Sequence, residues 1–201
     1  PILQITRKLA SDIFKLAKRN FESEVSKIDK ELKPNSIAFN KLKTEVWSEI
    51  TEVKRSTFNV VGYLEGNDPQ LKNEYIVIGA HYDHLGLGGS GSLTPDTKSV
   101  HGGADDNASG TAGLMELAQY FSANREKLGR SIIFSAFSGE EEGLLGSAHF
   151  VKEPPVTIDK TALMINMDMI GRLRDKKLII NGAGTSPQFK PLLNKFNKDS
   201  L

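Results

Sequence analysis

The chain has 201 residues, of which 38% are hydrophobic and 25% charged; it has no cysteine and a formal net charge of +1. This length suits one domain with a small appendage, and the composition excludes a disordered or a membrane-spanning chain. The interspersed charges argue against nucleic acid as a partner, because binding to a phosphate backbone requires a concentrated basic face. Without cysteine, any metal must be bound by His, Asp and Glu.

The N-terminal third of the sequence changes its pattern twice. Apolar residues at helical spacing predict a helix over residues 7–33 that ends at Lys33-Pro34. Residues 42–64 are rich in Val, Thr, Ile and aromatic residues and partly alternate, which is typical of strands. We therefore interpret residues 1–35 as a helical N-terminal extension and residues 36–201 as the main domain.

The rest of the chain alternates between predicted strands and predicted helices. This alternation favours an α/β fold with a mostly parallel sheet covered by helices on both faces. In such a sheet the ligand site lies beyond the carboxyl ends of the strands. The predicted strands are residues 75–80, 131–137, 162–167 and 178–180, and the helices are near 114–121, 144–152 and 187–196.

Side chains that can bind metals cluster at the ends of these elements. His81-Tyr82-Asp83-His84 follows the first strand, Glu140-Glu141-Glu142 follows the second, and Asp168 lies at the end of the third. Asp105-Asp106-Asn107 precedes a predicted helix. Each cluster alone also has an ordinary structural explanation, so their value as predictors lies in their combination.

The clusters after the first strand and before the helix each allow two interpretations. His81 and Asp83 are two residues apart and point the same way in an extended segment, so the carboxylate can orient the imidazole of a metal ligand. A histidine in an ordinary turn is the alternative. Asp105 and Asp106 repel each other unless a cation is near, but Asp and Asn also cap helices.

The other two clusters are similarly ambiguous. Among three consecutive acids, Glu140 to Glu142, one carboxylate can bind a metal while its neighbour accepts a proton from water. A solvated acidic turn is the alternative. Asp168 lies among apolar residues, where a charge is costly unless it binds a metal or is paired, for example with Arg172.

Two other motifs are weaker. Gly86-x-Gly88-x-x-Gly91 fits the dinucleotide fingerprint, but residues 93–96 do not predict the helix that this fingerprint must open. Residues 105–116 loosely fit an EF-hand calcium loop, but a glycine-rich loop precedes them where a helix is required. We predict a flexible loop over residues 86–103 instead.

Together the four clusters resemble the M28 family of metallopeptidases, which are two-zinc aminopeptidases. The matching stretches keep the order of the family and are residues 79–86, 102–110, 140–147 and 166–171. The resemblance implies the zinc-exopeptidase fold, a mixed and mostly parallel sheet between helices. It also implies that peptide or protein N-termini are the substrates.

The resemblance implies a ligand set for zinc, although carboxylate-rich sites also accept manganese or cobalt. His81 and Asp168 bind one ion, Glu141 binds the other, and Asp105 bridges both, with a cis bond to Asp106. The two ions polarise the scissile carbonyl group.

The resemblance also implies two catalytic residues beside the metal ligands. Glu140 is the general base, and Asp83 orients His81. Glu142 has no implied catalytic role.

One ligand of the family is missing. The family has a further histidine well after Asp168, but the histidines of this chain, at positions 81, 84, 101 and 149, all precede it. The second half-site therefore keeps only Asp105 and Glu141, and we predict that zinc binds there weakly or not at all. We interpret the chain as a fragment cut at its C-terminus and expect little activity from it alone.

Residues 2–7 resemble the exit from a protease-associated domain, which many such peptidases carry. We expect the protein to be extracellular or periplasmic. Two alternatives stay open on the same scaffold, namely a non-catalytic receptor-like relative and a zinc acyltransferase that resembles glutaminyl cyclase. The retention of all the polar site residues named above favours the peptidase, because a decayed site would have lost several.

Overall fold

The structure is a computed structural model that describes residues 4–89, 91–173 and 175–200. Contacts divide the chain into two compact units, residues 1–54 and 55–201. Ile2 and Leu3, in the segment that resembles the end of a protease-associated domain, and Ser90, in the glycine-rich loop, lie outside the described residues.

The N-terminal unit has two helices where the sequence predicts one. They are α1, Arg7–Leu16, and α2, Phe21–Glu31. The continuous helix fails at Lys18, whose φ of 56° is left-handed and therefore incompatible with a helix interior. Asn20 then caps α2 by accepting a hydrogen bond from the backbone of Ser23.

The strands predicted over residues 42–64 form only at β1, Val60–Leu64. Residues 42–59 have no regular secondary structure, so the prediction is wrong for them. Trp47, for example, is 82% exposed. A strand needs a partner for its backbone groups as well as suitable side chains, and these residues pair with none.

In the part of the chain that the structure describes, the sheet has four strands in the order β1-β3-β2-β4. The central strand β2 is parallel to β3 and β4, whereas β1 is antiparallel to β3. The predicted mixed, mostly parallel sheet is confirmed, but residues 178–180 do not form the fourth strand predicted there. The three further strands are β2, Tyr75–His81; β3, Ser131–Phe137; and β4, Thr161–Asn166.

Helices cover both faces of the sheet. Alternate residues of the central strands point to opposite sides, so each face has its own set of core side chains. On one face Ile78 and Phe134 pack with Leu114, and on the other Val77 and Ile133 pack with Phe150. Leu114 belongs to the helix α3, Gly110–Ala123, and Phe150 to the helix α4, Leu145–Lys152. The last helix is α5, Phe189–Ser200.

The edge strand β4 differs from its prediction as a buried strand. Its side chains are mostly exposed, and Met164 and Ile165 are each 45% exposed. The reason is position, since among the described residues β4 pairs with β2 alone and its other side is uncovered.

None of the helices in the part of the chain that the structure describes has the length and hydropathy of a membrane-spanning segment.

The register of the sheet determines where the polar clusters meet. His81 at the end of β2 is level with Phe137 at the end of β3, and Gly79 is level with Asn166 at the end of β4. The segments after these three strands therefore leave the sheet at the same edge, where parallel α/β sheets place their ligand sites.

Candidate metal centre

His81 lies at the centre of the polar groups on this edge and is 2% exposed. Its Nδ1 lies 3.1 Å from the backbone oxygen of Asp83. A carbonyl oxygen only accepts, so Nδ1 carries the proton and the other ring nitrogen, Nε2, has a free lone pair in the neutral ring. This Nε2 is buried without a hydrogen-bond partner.

Three carboxylates surround the unpartnered Nε2 of His81. The nearest oxygens belong to Asp106 at 3.2 Å, Asp168 at 3.6 Å and Glu140 at 4.0 Å. A lone pair facing several anionic oxygens at this range is unfavourable unless a cation lies between them. The donor set, one imidazole and several carboxylates, suits zinc.

Asp83 connects the end of β2 with the turn that follows β3. Its two carboxylate oxygens accept hydrogen bonds from the backbone N–H groups of Glu140 and Glu141, at 3.1 and 3.3 Å. One of these oxygens also lies 3.6 Å from Nδ1 of His81. Asp83 therefore holds the backbone of the acidic turn and the ring of His81 in fixed relation.

Asp106 belongs to both groups of side chains that are close enough to share a cation. One group is His81, Asp106 and Asp168, and the other is His84, Asp106 and Glu141; within each group the donor atoms lie within 4.8 Å of one another. The two groups of possible metal donors therefore share the carboxylate of Asp106.

Asp105 takes a different position from the one predicted for it. Its carboxylate accepts a hydrogen bond from the backbone of Gly171 at 2.9 Å and lies 3.2 Å from Nε of Arg172. Neither of the two donor groups contains Asp105. The cis bond predicted between Asp105 and Asp106 lies one position later, between Asp106 and Asn107, so that prediction is wrong.

Asn107 is 1% exposed and is hydrogen-bonded on both sides of its amide. Its Nδ2 donates to the backbone oxygen of Met167, and its Oδ1 accepts from the backbone N–H groups of Met169 and Gly110. Asp105 and Asn107 thus both bind the segment after β4. Asp106 lies between these two residues in the chain and faces Asp168, which belongs to the segment after β4.

Asp168 reaches the site for a different reason from the predicted one. β4 ends at Asn166, so Asp168 follows the strand, and its side chain is 43% exposed. Its charge is therefore not buried within a strand, which corrects the argument from burial. Arg172, proposed as its alternative partner, pairs with Asp105.

Glu140 lies between the donor groups and a cavity of about 190 Å³. Burial raises the pKa of Glu140 above its ordinary value, and the neighbouring carboxylates of Glu141, Asp168 and Asp83 act in the same direction. The cavity is lined by His81 and Glu140 and by apolar side chains that include Phe137, Leu144 and Met164.

Two residues of the site, Asp106 and His84, had no role in the prediction from sequence. Asp106 is adjacent to the residue predicted as the bridge, and no signal in the run of polar residues distinguishes the two. His84 belongs to the cluster after β2, but the predicted ligands there were limited to His81. In the structure its Nδ1 lies 2.6 Å from Oε1 of Glu141.

A family model for peptidase family M28 matches residues 59–200 of this chain. The chain belongs to peptidase family M28. The match includes every strand of the sheet and all the donor residues described above, which agrees with the resemblance noted from the sequence.

Several individual proteins are also similar to this chain. A probable zinc metalloprotease of Pyrenophora teres f. teres is 37% identical over 56% of the chain and 22% of its own length. The leucine aminopeptidase 2 of Trichophyton rubrum is 32% identical over 66% of the chain and 23% of its own length. A glutamate carboxypeptidase 2 homolog of Caenorhabditis elegans is 36% identical over 69% of the chain and 16% of its own length. The chain thus matches less than a quarter of the length of each of these relatives.

Proposed function

We propose that this M28 chain carries the metal-binding and general-base residues of a zinc-dependent exopeptidase that removes amino-terminal residues from peptides. The observation that carries the proposal is the pair of donor groups that share Asp106. They lie beside Glu140, a carboxylate without a role in the fold. The zinc metalloprotease and leucine aminopeptidase among the relatives support the same chemistry.

In this proposal Asp106, rather than Asp105, is the shared ligand. His81, Asp106 and Asp168 hold one zinc ion, and Asp106 and Glu141 contribute to a second. The unpartnered Nε2 of His81 supports the first of these positions. A bound zinc ion acts as a Lewis acid, which polarises a carbonyl group and increases the acidity of water.

Glu140 acts as the general base in this proposal. Its carboxylate accepts a proton from the water that attacks the peptide carbonyl, and then delivers that proton to the leaving amine. Asp83 keeps the base in place through its hydrogen bond to the backbone of Glu140.

The cavity next to Glu140 has polar and apolar lining, and its apolar part supports an apolar side chain at the residue that is removed. Phe137, Leu144 and Met164 line it, so an aliphatic group gains by leaving water there. Leucine derivatives are therefore the first substrates to test. The carboxypeptidase name of the nematode relative makes the carboxyl terminus the necessary comparison.

The test is hydrolysis of leucyl-p-nitroanilide by the zinc-loaded full-length protein, compared with the acetylated form of the same substrate. We expect cleavage only of the free amine, and a loss of at least about 100-fold in kcat for Glu140→Gln, with the zinc content unchanged. Glu142→Gln is the matched control, because Glu142 is exposed and lies outside both donor groups. A zinc-loaded full-length protein that leaves free, blocked and carboxyl-terminal substrates intact would contradict the proposed exopeptidase.

A further inference from the structure

We infer that Asn59 is a positioning residue for the proposed reaction, because its side chain fixes the turn that carries Glu140 and Glu141. This acidic turn comprises residues 138–144 and connects β3 with α4. Asn59 directly precedes β1 and lies outside both donor groups. The inference rests on the proposed function for the role of Glu140 as the general base.

The side-chain amide of Asn59 is hydrogen-bonded on both sides of the acidic turn. Its Oδ1 accepts from the backbone N–H of Ser138 at 3.1 Å, and its Nδ2 donates to the backbone oxygen of Gly146 at 2.8 Å. Ser138 is the first residue after β3, and Gly146 lies in the first turn of α4. Because an amide is both a donor and an acceptor, one side chain bridges the entry and the exit of the turn.

The start of α4 approaches Asn59 so closely that only glycine fits at position 146. Gly146 is buried, and a Cβ atom there would collide with Oδ1 of Asn59 and with the backbone oxygen of Ser138. The first of these atoms is itself hydrogen-bonded and the second belongs to the backbone, so neither is free to move away. The contact between Asn59 and α4 is therefore tightly packed as well as hydrogen-bonded.

Two further hydrogen bonds anchor the chain just before this asparagine. Oγ1 of Thr57 lies 2.6 Å from Oγ of Ser138, and the hydroxyl of Tyr82 donates to the backbone oxygen of Phe58 at 2.7 Å. Thr57 and Phe58 have no regular secondary structure, so these side-chain contacts hold them in place. Tyr82 directly follows β2 and Ser138 directly follows β3, which fixes the segment to the ends of both strands.

The backbone of the acidic turn requires such contacts from other segments. Three of its residues have a left-handed φ, namely Gly139 at 68°, Gly143 at 102° and Leu144 at 61°. This conformation is unfavourable for a leucine, because its Cβ atom comes too close to the backbone. Such a conformation persists where the surrounding structure holds it. The turn therefore depends on its neighbours to keep its shape.

Asn59 and Asp83 hold different parts of the same turn. Asp83 accepts hydrogen bonds from the backbone N–H groups of Glu140 and Glu141 in the middle of the turn. Asn59 instead binds the residues on either side of these two glutamates. Without Asn59 the middle stays tethered while the ends are free to move, so we expect a small displacement of Glu140 rather than loss of the turn.

A displaced Glu140 lowers the rate of the proposed reaction, because a general base must lie within hydrogen-bond reach of the proton that it accepts. A misplacement of about 1 Å can reduce a rate by about 100-fold. The donor group of His81, Asp106 and Asp168 contains no residue of the acidic turn. Loss of Asn59 should therefore lower kcat and leave this donor group intact.

The experiment is a double-mutant cycle on the zinc-loaded full-length protein, with kcat and KM measured for leucyl-p-nitroanilide. The four proteins are the wild type, Asn59→Ala, Glu140→Gln and the double variant. We expect Asn59→Ala to lower kcat about 10–100-fold, with KM changed by less than about threefold. In the Glu140→Gln background we expect less than about threefold further loss, because the base that Asn59 positions is already absent. A residue that only stabilises the fold lowers kcat by the same factor in both backgrounds.

Asn124→Ala is the matched control, because it removes an exposed hydrogen bond from an asparagine side chain to a backbone oxygen at the end of α3. Its kcat and KM should stay within about twofold of the wild type. Asn59→Asp has nearly the same size as the wild type and keeps the acceptor for Ser138 but loses the donor to Gly146. It carries the same cycle with Glu140→Gln if Asn59→Ala does not fold.

Hydrogen exchange gives a readout that does not depend on activity. The backbone N–H groups of Glu140 and Glu141 should exchange at least about tenfold faster in Asn59→Ala than in the wild type, because the turn opens locally more often. The N–H groups of the central strand β3 should keep their rates. Zinc content and unfolding midpoints establish that each variant is loaded and folded under the conditions of the assay.

The outcomes separate this inference from the proposed function. An unchanged kcat in Asn59→Ala, or equal losses in the two backgrounds, overturns the role of Asn59 and leaves Glu140 as the base. Unchanged exchange of the N–H groups in the acidic turn also overturns it. A wild-type protein that cleaves no free, blocked or carboxyl-terminal substrate contradicts the proposed function and overturns this inference with it.

Discussion

Asp105 and Asp106 are neighbours in the chain, but their carboxylates face different partners. Oδ2 of Asp105 lies 3.2 Å from Nε of Arg172, whereas Oδ1 of Asp106 lies 3.2 Å from Nε2 of His81. One carboxylate therefore tethers the segment after β4, and the other faces the donor groups. Substitution of each residue in turn separates these two roles.

We expect Asp106→Asn to remove tight zinc binding, because Asp106 belongs to both donor groups. Asp105→Asn should keep the affinity for the first ion within about tenfold, since it weakens only an outer contact. Zinc content after dialysis and calorimetric titration measure both effects. The reverse result, with tight zinc retained in Asp106→Asn and lost in Asp105→Asn, would restore the assignment made from the sequence.

Asp83→Asn should weaken zinc binding by about 10–100-fold, as is typical when an outer partner of metal ligands is lost. The amide replaces one acceptor oxygen by a donor, which then opposes a backbone N–H of Glu140 or Glu141. Titration with Zn²⁺ measures the change. Asp96→Asn is the control, because Asp96 is exposed in the glycine-rich loop; equal affinities in the two variants would contradict a positioning role for Asp83.

Asn107→Ala should lower the free energy of unfolding by about 2–4 kcal/mol, because it leaves one buried and two partly buried backbone groups without the partner that Asn107 provides. These groups are the carbonyl of Met167 and the N–H groups of Met169 and Gly110. Urea unfolding of the metal-free protein measures the change.

The control for Asn107→Ala is Asn124→Ala, which removes an exposed hydrogen bond to the backbone of Tyr120. For this variant we expect a loss below about 1 kcal/mol. Similar losses in the two variants would mean that Asn107 does not hold the segment after β4.

Phe150→Ala should lower the free energy of unfolding by about 3–5 kcal/mol, because the remaining side chains do not fill the space that the ring leaves. Phe150 is buried against Phe137, with ring centroids 5.6 Å apart. Phe196→Ala is the control, since Phe196 is 60% exposed and its loss should change stability by only about 0.5 kcal/mol. A loss for Phe150→Ala no larger than that of the control would show that α4 does not contribute to the core.

Local sequence determined the central elements of the fold. The apolar runs at β2 and β3 are short, rich in β-branched residues or phenylalanine and bounded by turn residues, which favours buried strands over helices. Residues 42–59 and 178–180 have similar composition but no strand beside them, and the structure leaves them irregular. Composition indicates whether the side chains of a segment suit a strand. Whether the segment pairs depends on parts of the chain that are distant in sequence.

The candidate site divides in the same way. The sequence by itself determined the family of this chain, because four clusters of metal-competent residues lie in a fixed order at the ends of predicted elements. Only the tertiary structure decided that Asp106 rather than Asp105 faces His81, and that His84 lies against Glu141. These choices depend on the backbone path through residues 104–109 and on the common edge of three strands, and neither is encoded in the spacing of the residues.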